Sequence, residues 1–115
     1  MLTIPNRMEA MNRIGRALAD PTRSRLLLAL LDGPAYPAQL AAHLGLTRSN
    51  VSNHLSCLRG CGLVVATPEG RSVRYELVDG RLVHALGDLL DVVLAVNPSA
   101  ACVVEPAEVS AEGSA

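Results

Sequence analysis

Leu46-Thr47-Arg48-Ser49-Asn50-Val51-Ser52-Asn53-His54-Leu55-Ser56-Cys57-Leu58-Arg59-Gly60-Cys61-Gly62 is the stretch that decides how the rest of the chain is read. Thr47 is a strong N-cap. After it, Val51, Leu55 and Leu58 recur at the spacing of one helical face, so Arg48 to Cys61 is expected as a helix that stops at Gly62. At about 100° per residue, Ser49, Ser52, Asn53 and Ser56 fall roughly opposite the apolar stripe. That outward face is small and hydrogen-bonding. Such side chains enter a major groove without steric conflict, with Asn suited to adenine edges and Ser to a base or a phosphate; an ordinary solvated helix face has the same composition.

Upstream, Pro37 to Leu44 reads as a short helix closed by Gly45, and two helices joined by a short turn containing Gly make a helix-turn-helix. Before it, Leu26 to Leu31 lie on a helix opened by Asp20-Pro21 and ended by Asp32-Gly33-Pro34, while Met8, Met11, Ile14 and Leu18 mark an earlier one. Downstream, Leu63 to Thr67 and Ser72 to Leu77 read as strands around Pro68-Glu69-Gly70-Arg71, a hairpin that would form a wing. From Arg81 to Val96 a helical pattern resumes. Its Leu82, Leu86, Leu89, Val93 and Val96 are spaced by alternating four and three, which suits a partner helix from a second subunit. The expected fold is mainly α with a small β-hairpin, a winged helix-turn-helix that forms a homodimer through its terminal helices. Residues 1–96 are expected as the DNA-binding and dimerisation domain, and 97–115 as a flexible C-terminal tail.

The chain has 115 residues, 50% of them hydrophobic, with neither Phe nor Trp. One domain of this size must build its core from Leu, Val and Ala, and pairing with a second copy would help it. The longest apolar runs fall far short of the roughly 20 residues that span a bilayer, and the N-terminus lacks the order of a signal peptide. A cytoplasmic protein with no membrane partner is expected. The net charge of −1 conceals a division, because all 10 basic residues are Arg and lie within 1–81, and no acid stands between Asp32 and Glu69. That acid-free stretch, with Arg48 and Arg59, can approach a polyanion without repulsion. Arg71 and Arg74 on the hairpin would add phosphate or minor-groove contacts.

Three cysteines in a reducing compartment are expected as thiols. Cys57 and Cys61, four apart on one helix, have Cβ atoms about 5–6 Å from each other. Two thiolates so placed can share a metal ion, and equally the pair can be two small buried side chains. Together with Asn50 and His54 they form a stripe on the helix flank. Cys102, in the polar tail, is the third thiol that could complete a site. A three-thiolate site prefers soft ions, zinc or Cu(I) among the common metals and cadmium or lead among the toxic ones. His54 stands open as a fourth ligand, a packing residue or a DNA-facing one. His84, Asp88 and Asp91, with Asp79 before them, offer either a zinc site or the solvated back of the last helix. No nucleophile elbow, glycine-rich phosphate loop or His-Glu metalloprotease pair is present, so neither an enzyme nor a small organic substrate is expected.

With these residues assembled, the chain resembles the ArsR/SmtB family of bacterial metal-responsive repressors, which are winged helix-turn-helix homodimers. The likeness spans about Met8 to Val96. It is carried by Gly15-Arg16-Ala17-Leu18-Ala19-Asp20-Pro21-Thr22-Arg23, by Leu46 to Arg59, and by Glu69-Gly70-Arg71-Ser72-Val73-Arg74-Tyr75-Glu76-Leu77. More closely it is similar to the members that sense cadmium and lead, whose ligand cysteines lie late in the recognition helix and in the C-terminal tail. That resemblance implies Cys57, Cys61 and Cys102 as metal ligands, with Cd(II) or Pb(II) as inducer and Zn(II) as a further candidate. From the fourth helix and the hairpin, operator contacts are expected at Arg48, Ser49, Asn50, Ser52, Asn53, His54, Ser56, Arg71 and Arg74. Two other sensor sites of the family are missing. The second helix has Ser24 and no Cys-x-Cys, and on the last helix only Asp79 fits the zinc pattern, with Arg81, Val92 and Ala95 at its remaining positions. Near Ile4 there is no extra thiol.

The function these features imply is a metal-sensing repressor, bound to operator DNA as a homodimer and released by a soft ion at the three cysteines. A thiol redox or persulfide switch on the same fold is the leading alternative, with Cys57 or Cys61 joining Cys102 on oxidation. A metal buffer is the other.

Overall fold

A computed structural model describes residues 4–96 as five helices and a two-stranded antiparallel sheet, in the order α1 (Ile4–Ala19), α2 (Pro21–Leu31), α3 (Pro37–Leu44), α4 (Arg48–Gly60), β1 (Val64–Glu69), β2 (Ser72–Leu77) and α5 (Gly80–Leu94). The expected tail, with Cys102, lies outside these residues. The chain divides into two units between residues 83 and 84.

The first unit is built around α2, which packs against α1, α3, α4 and β2. Its start is fixed by Asp20, whose Oδ2 accepts from the Arg23 backbone N–H at 2.9 Å, with Pro21 at the first helical position. The core is aliphatic throughout: Leu26, Leu27, Leu30, Leu40, Val51, Leu55, Leu58, Val64 and Leu77 are buried, joined by the small Ala17 and Ala41. Only Leu and Val fill its largest fully buried positions, in a chain with neither Phe nor Trp.

The α3–α4 pair is the helix-turn-helix. Gly45 closes α3 at φ 69°, a left-handed conformation that a side chain would strain. Thr47 then caps α4, its Oγ1 accepting from the Asn50 N–H at 3.1 Å. Val51, Leu55 and Leu58 are buried against the core, which fixes the rotation of α4 and turns its opposite face outward. A Schellman motif ends it: the Gly62 N–H bonds Arg59 O and the Leu63 N–H bonds Leu58 O, both at 3.0 Å, with Gly62 at φ 83°.

The hairpin is longer than its turn residues imply. Pro68 and Glu69 belong to β1, paired with Val73 and Ser72, so the turn is Gly70-Arg71 alone. Gly70 at φ 61° makes the tight reversal, and the free outer edge of β1 tolerates a proline. The hairpin is tied back by an isolated bridge, Ala35 N–H to Tyr75 O at 2.9 Å and Tyr75 N–H to Ala35 O at 2.8 Å.

Helix α5 starts at Gly80, not Arg81, because Asp79 caps it: Oδ1 accepts from the N–H groups of Arg81 at 2.9 Å and Leu82 at 3.3 Å. None of its residues is buried, and Leu89, Val92, Val93 and Leu94 are more than half exposed. On α1, Met8 and Met11 are likewise exposed. No described helix is long and apolar enough to cross a membrane.

Candidate nucleic-acid interface and thiol pair

Because the α4 stripe is buried, the side chains opposite it are exposed: Arg48, Ser49, Ser52, Asn53, Ser56 and, near the end, Arg59. Asn50 is half-buried on the flank. His54 is drawn inward, with its Nδ1 buried and 3.9 Å from Asp20 Oδ2. The residue that caps α2 therefore also faces the recognition helix.

Asp20 is held below the ordinary carboxylate value of 3.8, chiefly by the hydrogen bond from the Arg23 N–H, against partial burial that raises it, with the Arg23 and His54 charges adding to the lowering. Asp79 is lowered in the same way, first by its bond from the Arg81 side chain at 3.0 Å. A depressed folded-state value stabilises the fold above the unfolded pKa, and that contribution is lost as pH falls through the folded value. Thermal melts of the parent chain are thus expected to decline below about pH 4, more steeply than those of Asp20→Asn, which keeps a capping side chain and cannot titrate.

On the hairpin, Arg71 is exposed at the turn, whereas Arg74 is half-buried and charge-paired. Its Nε lies 3.2 Å from Glu69 Oε2 without hydrogen-bond alignment, and its Nη2 lies 3.8 Å from Glu76 Oε2. The other oxygen of Glu69 accepts from Tyr36 Oη at 2.6 Å. That bond and burial hold the phenol above its usual 10. Sequence reasoning misses Tyr36 and Glu69, since no local pattern announces a contact between residues 33 apart. It passes over Asp79 as a cap too, although Asp before a helical pattern is a start signal.

Cys57 and Cys61 are free thiols on the α4 flank, the first exposed and the second half-buried. They are one turn apart, the Cys61 N–H bonding Cys57 O at 3.0 Å. Neither is a core residue, so the reading of two buried apolar side chains does not describe them. Among the described residues no group of three or more His, Cys, Asp or Glu side chains is placed to hold a metal ion, which includes His84, Asp88 and Asp91. Ser24 donates its hydroxyl to Leu18 O at 2.7 Å.

Residues 20–65 match the family model described as bacterial regulatory protein, arsR family. The HTH-type transcriptional regulator CmtR of Mycobacterium tuberculosis (strain ATCC 25618 / H37Rv) is 70% identical over 107 residues, covering 93% of this chain and 91% of that protein. The chain belongs to the arsR family. Among solved structures, the NMR structure of the cadmium metal-sensor CMTR from Mycobacterium tuberculosis superposes with a TM-score of 0.62 at 73% identity, over 82% of this chain and 98% of that one. A homodimeric winged helix-turn-helix DNA-binding domain from Mycobacterium bovis superposes with a TM-score of 0.69 at 28% identity, over 76% and 81%. The arsR assignment and the winged helix-turn-helix agree with the expectation from sequence.

Proposed function

We propose that this arsR-family chain is a soft-metal-responsive transcriptional repressor. As a homodimer in the cytoplasm it holds operator DNA through the outward face of α4 and the hairpin, and a cadmium or lead ion bound by Cys57, Cys61 and Cys102 releases it. The observation that carries this reading is the position of two free thiols, one turn apart, on the very helix whose opposite side offers Arg48, Ser49, Ser52, Asn53 and Ser56 to a groove. A metal bound there acts on the recognition helix without an intervening relay.

The donor set supports a soft ion. Two thiolates supply sulfur and no oxygen, and His54 faces Asp20 rather than completing a trio, so the third donor is assigned to Cys102. The exposed apolar faces of α1 and α5 support pairing of two copies, and the homodimeric relative supports the same assembly. By reciprocity of coupling, the ion binds the DNA-free dimer more tightly by the factor by which it weakens operator binding.

The test is an ultraviolet absorption titration of the reduced protein with cadmium, in parallel with Cys57→Ser, Cys61→Ser and Cys102→Ser. The parent is expected to develop thiolate-to-metal absorption that saturates at one ion per chain, and each variant to lose intensity and affinity. An unchanged titration for Cys102→Ser would remove the third ligand from the proposal.

A further inference from the structure

The hairpin carries a feature that DNA binding alone does not explain. Glu69 stands beside the exposed Arg71 at the tip, and Glu76 lies behind it, so the element proposed to meet phosphates bears two carboxylates. A negative charge there opposes a polyanion. Any favourable effect of Glu69 on DNA binding must come through position.

The geometry provides one. Tyr36 immediately precedes α3 in extended conformation, its N–H held by Gln39 Oε1 at 3.1 Å. Its hydroxyl reaches across to Glu69 Oε1 at 2.6 Å, at the last residue of β1 before the turn. The same carboxylate meets Arg74 of the opposite strand through Oε2. The root of the hairpin is anchored by the Ala35–Tyr75 bridge and by buried Val64 and Leu77, whereas among the described residues no backbone hydrogen bond joins 67–74 to another element. A two-stranded hairpin is marginal on its own. Tyr36–Glu69 is a side-chain hydrogen bond that ties the far half to the start of α3.

We infer that Glu69 is a positioning residue for DNA binding: with Tyr36 and Arg74 it clamps the hairpin to the start of α3 and aims the Gly70-Arg71 tip. Arg71 is then the charge that meets phosphate, and Arg74 acts through Glu69. This rests on the repressor reading and names how its wing is set.

The test measures the affinity of the full chain for DNA from its own upstream region across a range of salt. Glu69→Ala removes a negative charge, so electrostatics alone predicts tighter binding. The clamp predicts the opposite sign, a loss of about five-fold for one hydrogen bond. Glu69→Gln, whose amide oxygen can still accept from Tyr36, is expected to recover part of it. Tyr36→Phe is expected to weaken binding by a similar factor with the charge unchanged, and to add nothing further on Glu69→Ala. Arg71→Gln lowers the salt slope by about 0.9, whereas Arg74→Gln weakens binding with the slope kept. Tighter or equal binding by Glu69→Ala, or equal slope losses for the two arginines, overturns the inference alone. A parent chain that binds no DNA overturns the repressor reading and the inference with it.

Discussion

Leu55→Ala is expected to destabilise the fold by about 3 kcal/mol, within the range of about 2–5 kcal/mol for buried leucines. Leu55 is fully buried at the middle of α4, where it faces the core that centres on α2. Truncation leaves a cavity that two packed helices cannot collapse around. Small domains hold only about 5–15 kcal/mol in total, so the loss is a large fraction of the whole and carries the outward face of α4 with it. Urea unfolding of Leu55→Ala beside Ser52→Ala, one turn away on the exposed side, separates the causes: the serine variant is expected within about 0.5 kcal/mol of the parent. A Leu55→Ala midpoint equal to that of Ser52→Ala would mean that the helix is not locked by its apolar stripe.

The expectation could be formed early because the features that place α4 are local and mutually consistent. Thr47, the Val51-Leu55-Leu58 stripe and Gly62 each act within a turn or two, and each does in the structure what its chemistry requires. The hairpin was less legible. Pro68 and Glu69 look like turn residues, but the ladder runs through them because the reversal takes only Gly70-Arg71. Tyr36–Glu69 was not legible at all, since a contact of this range depends on how the hairpin folds back and leaves no periodic trace.

Cys57→Ser is expected to keep metal-free operator binding within about two-fold and to lose the response to cadmium. Linked sites commonly couple by about 1–3 kcal/mol, a change of about 5–150-fold in affinity, and that whole factor is at stake if one of the three proposed sulfur donors goes. The thiol is exposed on α4 and supports no core contact, so the substitution leaves the fold in place. Anisotropy of labelled DNA with and without cadmium, under reducing conditions, reads both quantities. A Cys57→Ser protein still released by the metal would contradict the assignment of this thiol. Release of the parent by oxidant in the absence of metal would favour the redox alternative, for which the exposed thiol is also suited.

The candidate site was half legible. Spacing alone put Cys57 and Cys61 on one flank and the serines and Asn53 on the other, and helix periodicity guarantees that much. It left His54 open among three roles, because a histidine at that angle is decided by what the neighbouring helix presents. Here it is Asp20, the α2 cap. Arg74 is expected from sequence to meet phosphate or the minor groove; Glu69 becomes its neighbour only through the strand register, whereas Glu76 lies two residues along the same face of β2.

The most direct test of the central claim is a titration of the reduced dimer, bound to fluorescent DNA from its own upstream region, with cadmium, following anisotropy and thiolate-to-metal absorbance in the same cuvette. The account predicts that the DNA is released in step with the rise in absorbance and that both end at one ion per chain. Absorbance that saturates while anisotropy stays at its bound value would contradict it.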